Sequence, residues 1–318
     1  MNAGDERVTA RQTSEPCSIK REDLRECEPR GILSHMPAEA GSSLSHSHSL
    51  DRNGRRYTVC RADGRVMIDD VNATRPLPPP PDLPPLSAPP SCGLDHCVAV
   101  EKSLGAAISW ATSKAAARFG QLGWPAGDAP TRSGDESVPL YTPRRIVLPS
   151  RPDEKIVDAT AGDAHTGLVD ASGGLWLCGS DRWTQLGQDR FWAKGHIWQR
   201  EPRQVPSLAQ NNVRVKATAL GADHSLALDE DGRVWAFGYG QHGQLFGESR
   251  RPFTSAPAVS AALSSTPSGG DGVTKIWARG NCSCALGRAA GLGWKCIGRC
   301  ENVQREALQR DAHPQGHQ

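Results

Sequence analysis

Apolar bulk is thin in this chain. Against 9 Trp stand only 5 Phe, 3 Tyr and 3 Met, and hydrophobic residues fill 37% of the 318 positions. With 23% of residues charged, that composition fits a soluble protein with polar flanks beside its core. No apolar run approaches the ~20 residues that span a bilayer, so a membrane segment is not expected. Charge of one sign is missing too. The 37 Lys and Arg against 35 Asp and Glu leave a net charge of +2, which gives no bulk attraction toward nucleic acid. The first residues carry acids (Asp5, Glu6, Glu15, Glu22, Asp23, Glu26, Glu28) and no apolar core, unlike a secretory signal or a transit peptide. Cytoplasm or nucleus is the resulting expectation, and the 10 Cys are then expected as reduced thiols. No nucleophile, base and orienter stand together in a recognisable local signature, so neither an enzyme nor a cofactor is expected.

What the chain does have is a repeat. Gly162-Asp-Ala-His165 is followed by Gly173, Trp176 and Gly179, and Gly221-Ala-Asp-His224 by Gly232, Trp235 and Gly238, at identical offsets. Gln185-Leu186-Gly187 closes one unit and Gln244-Leu245-Phe246-Gly247 the other. An upstream unit runs through Gly93, His96, Gly105, Trp110 and Gln121-Leu122-Gly123, with its turn glycine and tryptophan out of step. A fourth, decayed unit begins at Gly280, with Asn281 where the histidine belongs. Arg61-Ala-Asp-Gly64-Arg-Val-Met is a candidate hairpin of one worn upstream unit. Short runs of β-formers joined by Asp-Gly turns make each unit a small antiparallel sheet. A sheet of that size cannot bury its faces alone, so the units must stack, and a radial array suits them best.

The same frame disposes of several motifs. Gly238-Tyr-Gly240-Gln-His-Gly243 matches the dinucleotide fingerprint, but Pro252 follows where a helix should, and the neighbouring unit keeps the repeat without the fingerprint. His96, His165 and His224 occupy one equivalent position per unit; an array spreads them apart instead of gathering a metal site, and each is expected to bond backbone between strands. Cys282, Cys284, Cys296 and Cys300 could hold zinc by type, yet their spacing departs from paired Cys-x2-Cys, and substitution for small apolar residues is the preferred account. No metal is expected. Arg75-Pro-Leu-Pro-Pro-Pro-Pro81 fits the pattern of an SH3-type ligand.

With its Gly-x-x-His-(Ser/Thr), Asp-Gly turn, aromatic strand and Gly-Gln-Leu-Gly, the chain resembles the regulator of chromosome condensation repeat family over residues 92–290, most strongly over 140–247. The resemblance implies an all-β, partial or decayed β-propeller, with three clear repeats, a fourth degenerate one and a disordered N-terminal region. Members of that family are seven-bladed, so three or four copies do not close a ring. The expected layout is a mostly disordered 1–75 with one worn repeat, a proline-rich linker over 76–90, repeats over 91–300 and a disordered tail over 301–318. Arg182, Trp183, Phe191, Trp192, Lys194 and Trp198 mark a loop of aromatics and cations at a junction of units, the composition of a partner-binding hot spot. The competing account packs Trp183 and Trp198 between blades. The resemblance implies a protein-interaction scaffold; the alternatives are a guanine-nucleotide exchange regulator of a small GTPase, and a truncated propeller that needs a partner or a second copy to complete its ring.

Overall fold

The computed structural model describes residues 46–50, 55–60, 62–70, 83–125, 141–188, 198–246, 253–260, 272–287 and 295–297. The expected disorder before residue 46, the Arg75–Pro81 motif and the tail after 301 lie outside them. The described strands form five antiparallel sheets, each a meander in chain order. Blade 1 comprises β1 (His46–Leu50), β2 (Arg55–Cys60) and β3 (Val66–Asp70). Blade 2 comprises β4 (Ser91–Cys92), β5 (His96–Val100), β6 (Ala107–Ala111) and β7 (Arg144–Arg145). Blade 3 runs β8 (Ile156–Ala161), β9 (His165–Asp170), β10 (Leu175–Ser180) and β11 (Trp198–Gln204). Blade 4 runs β12 (Val215–Leu220), β13 (His224–Asp229), β14 (Val234–Tyr239) and β15 (Phe253–Val259), and blade 5 runs β16 (Val273–Arg279), β17 (Cys282–Gly287) and β18 (Lys295–Ile297). One short helix, α1 (Pro206–Gln210), follows β11 with Pro206 in its first turn, where its missing N–H costs nothing. Among the described residues no helix is long and apolar enough to cross a membrane.

Each blade lays its first strand against the preceding blade, β8 on β5, β12 on β8 and β9, and β16 on β12 and β13. The cores therefore lie between sheets. Val169, Leu175 and Leu177 of blade 3 meet Val215, Leu220, Ala227 and Phe237 of blade 4, and Leu226, Leu228 and Val234 of blade 4 meet Val273, Ile276 and Ala285 of blade 5. Tyr57 and Val59 of blade 1 pack on Cys97, Ile108 and Trp110 of blade 2. Leu86 is buried in the same cluster and its N–H donates to Gly64 O at 2.8 Å, so residues 83–90 pack against the fold instead of bridging through solvent. Five sheets make an open propeller.

Among the described residues the array holds five units, and the candidate hairpin at Arg61–Met67 joins β2 to β3 of blade 1, which keeps only the Asp63-Gly64 turn of the pattern, with Gly64 at φ +79. Three sequence expectations change. Cys282, not Asn281, stands at the histidine position: β17 opens on Cys282 as β9 and β13 open on histidine, and the loop before it is one residue short. Trp110 is not the repeat tryptophan. It pairs with Cys97, one residue past the histidine, whereas Trp176 pairs with Leu168 and Trp235 with Ala227, three residues past it. Cys92 and Cys97, opposed across β4 and β5 with Cα atoms 4.1 Å apart, form a disulfide, and Cys282 is also disulfide-bonded, against the expectation of ten free thiols.

Candidate functional site

The repeat histidines sit at the joints between blades. His96 Nε2 lies 2.6 Å from Thr166 Oγ1, His165 Nε2 3.1 Å from Ser225 Oγ, and His224 Nε2 2.8 Å from Ser283 Oγ, each hydroxyl belonging to the next blade. Each hydroxyl then donates back to the preceding blade, to Gln121 O, Gln185 O and Gln244 O, all at 2.7 Å. A hydroxyl has one proton. Since it goes to the glutamine carbonyl, the imidazole must be the donor at Nε2, and Nδ1 is left as a buried acceptor without a partner in all three rings. The expected bond from histidine to backbone is thus replaced by a bond to a hydroxyl one blade away. Burial pushes His96 and His224 down to about 3 and His165 to about 4, with repulsion from His165 adding to the first two, so these rings stay neutral at physiological pH.

The repeat glycines make this geometry possible. A Cβ on Gly162 would lie 2.6 Å from Gly221 O and 2.7 Å from His165 Cε1, and one on Gly221 would meet His224 Cε1 and Gly280 O. Gly93 abuts Gly162 O in the same way, so the first loops of successive blades form a stair with no room for side chains. Gly179 and Gly238, at φ +110 and +96, let β10 and β14 press on the histidine backbone, and Gly232 (φ +79) turns the β13–β14 hairpin. A second lock went unseen in the sequence. Asp170 takes the Trp176 indole N–H at 2.7 Å and the Gly174 N–H at 2.7 Å, and Asp229 takes the Trp235 indole at 2.9 Å and the Arg233 N–H at 2.8 Å. Its signal was present as an aspartate five residues past His165 and again past His224.

On the face that carries the loops after β10 and β14, aromatic and cationic side chains line up across two blades. The Trp183 ring stands 4.9 Å from Tyr239 of the next blade, Tyr239 stands 5.6 Å from His242, and the Arg182 guanidinium lies 5.6 Å from the Trp183 ring. Gln185 fixes the loop: its Oε1 accepts the Trp183 N–H at 2.8 Å, and its amide donates to Asp223 Oδ1 at 3.2 Å. Burial drives Asp181 up to about 6, and burial with the charge of Asp163 raises Asp223. Trp183 is half-buried against Tyr239. Trp198 is 41% exposed at the start of β11, with the Arg200 guanidinium 5.6 Å from its ring. Phe191, Trp192 and Lys194 lie outside the described residues. Among the described residues no group of three His, Cys, Asp or Glu is placed to hold a metal ion. The Cys178 thiol is pushed up to about 12 by burial and has no nucleophilic character.

Comparison with known proteins agrees with this geometry. Two profiles described as Regulator of chromosome condensation (RCC1) repeat match residues 172–228 and 215–244. RCC1 domain-containing protein RUG3, mitochondrial, of Arabidopsis thaliana is 33% identical over 132 residues, which are 42% of this chain and 26% of that protein. Protein RCC2 of Mus musculus is 27% identical over 219 residues, 64% of this chain and 38% of that one, so the chain spans well under two thirds of either relative. The crystal structure of Prp20p from Saccharomyces cerevisiae, described with its binding to Gsp1p and histones, superposes with a TM-score of 0.52 at 18% identity, over 85% of this chain and 58% of that one. The two profiles place repeats of this kind over residues 172–244, and the chain is similar to proteins of the regulator of chromosome condensation repeat family, with its described sheets arranged as an open β-propeller.

Proposed function

We propose that the chain is a protein-interaction module without catalytic chemistry of its own, and that Arg182, Trp183, Tyr239 and His242 form the centre of its partner-binding face. The observation that carries this is the ring stack bridging blades 3 and 4 on a loop face held by Gln185, since aromatics flanked by arginine on a rigid support are the usual anchors of protein interfaces. Phe191, Trp192, Lys194 and Trp198 belong to the same proposal on sequence grounds.

The test is capture of partners from lysate by the full chain and by Trp183→Ala. A drop of about tenfold in the specific captured band, with the melting temperature held within ~2 °C, supports the proposal. Unchanged capture, or a large fall in melting temperature, assigns Trp183 to packing instead. Guanine-nucleotide exchange on a small GTPase is the alternative, supported by the family resemblance. Nucleotide release from a panel of purified small GTPases tests it, and no acceleration by the full chain removes it. Completion of the ring by a partner or a second copy stands beside these as a proposal about assembly.

A further inference from the structure

A second feature lies at the seam of blades 2 and 3 and includes Trp198. Gly120 (φ +75) approaches β11 so closely that an added Cβ would stand 2.5 Å from Arg200 Cα. The loop 118–120 and the first residues of β11 therefore hold one another in place. Each side of this contact presents an arginine beside an aromatic ring: the Arg118 guanidinium lies 5.1 Å from the Phe119 centroid, and that of Arg200 lies 5.6 Å from Trp198. Among the described residues neither guanidinium has a carboxylate partner. Arg145, Arg151, Arg214 and Arg233, by contrast, each have one. Trp198 is the most exposed aromatic ring recorded in the described fold.

An arginine laid against a ring gives up rotational freedom but keeps its N–H edge, which matches a carboxylate in the plane of the guanidinium. Two such edges on one rigid seam suit an extended chain with acids on alternate residues and small or apolar groups to cover the rings. Nucleic acid fits less well, because phosphate binding draws on many cations and the chain's net charge is only +2. We infer that Arg118, Phe119, Trp198 and Arg200 form a docking strip for an acidic peptide segment of a protein partner. The inference rests on the reading of this chain as an interaction module and gives the chemistry of one contact.

Fluorescence anisotropy tests it with the full chain and three probes: a labelled peptide of alternating glutamate and glycine, its glutamine–glycine analogue, and an oligothymidylate. At low salt the glutamate peptide binds and the glutamine peptide does not, and added salt weakens the complex. The double variant Arg118→Ala/Arg200→Ala weakens it by about tenfold or more, while Arg145→Ala, which removes an arginine already paired with Glu101, changes nothing. Equal binding of the two peptides, equal affinity in the double variant, or tighter binding of the oligothymidylate overturns the inference. Trp183→Ala leaves the peptide affinity unchanged, so failure at this strip is separable from failure of the Trp183 face.

Discussion

His165 sits where two blades meet with its Nε2 proton given to Ser225 and its other nitrogen facing no partner. Protonating that second nitrogen would bury a cation, and this sets a sign for the response to acid. The unfolded imidazole titrates near 6.5, while the folded rings are held near 3 to 4. Between those values the unfolded chain binds more protons, so stability from these rings is full above about pH 6.5 and is lost as pH falls. Asp158 and Asp181, raised to about 6 by burial, act in the opposite direction and offset part of the loss. The clean measurement is therefore a difference. His224→Gln should flatten the fall of unfolding free energy by about 1.4 kcal/mol per pH unit over roughly pH 6 to 4.5, read by urea unfolding. An unchanged slope would mean that the His224 ring is not held neutral.

Within one blade the turn after the second strand is held by its aspartate. Asp229 accepts from the Trp235 indole, the Arg233 N–H and the Arg233 guanidinium, and loss of all three in Asp229→Ala should cost about 2–3 kcal/mol. Asp170→Ala should cost a similar amount, because Asp170 makes the equivalent set with Ser172, Gly174 and Trp176. Thermal unfolding of the two variants checks this, and a loss in only one would break the equivalence. Much at this scale was legible: histidine, turn glycine and tryptophan at fixed offsets gave the hairpins of blades 3 and 4. Blade 2 misled because its tryptophan had moved to the strand position that Phe237 fills in blade 4, and a linear offset cannot show which residue a strand opposes. The Gln-Leu loop hid a further rule. It needs a left-handed residue before the glutamine and another two after it, met by Gly120 and Gly123 in blade 2 but by Thr184 and Phe246 elsewhere. Those exceptions made the glycine pattern look looser than the backbone is. The strip at Arg118 and Arg200 could not be read at all, since its halves lie far apart in the chain and meet only through Gly120.

Across the described residues the five blades pack in sequence, each on the one before. The side of blade 1 turned away from blade 2 presents Arg56, Thr58 and Met67, with Arg56 exposed and Met67 50% exposed, while Tyr57 and Val59 are buried on the other side. Arg56 occupies the place held by Thr166, Ser225 and Ser283, so this side lacks the hydroxyl that receives a histidine. It suits a terminal face in water better than a joint. Met67→Glu should accordingly change neither the hydrodynamic mass nor the melting temperature by more than ~2 °C, whereas Val59→Glu, on the packed side, should unfold the blade 1–2 contact. A fall in mass or stability for Met67→Glu would show that another blade docks there. One latch joins each pair of neighbouring blades from blade 2 to blade 5, and each couples only the two blades it touches. Double-mutant cycles on unfolding free energy measure this directly. His165→Ala with Ser225→Ala should show a coupling of about 1–2 kcal/mol, and His165→Ala with Ser283→Ala, which belong to different latches, should be additive within ~0.5 kcal/mol. Additivity within the His165–Ser225 pair would contradict the account.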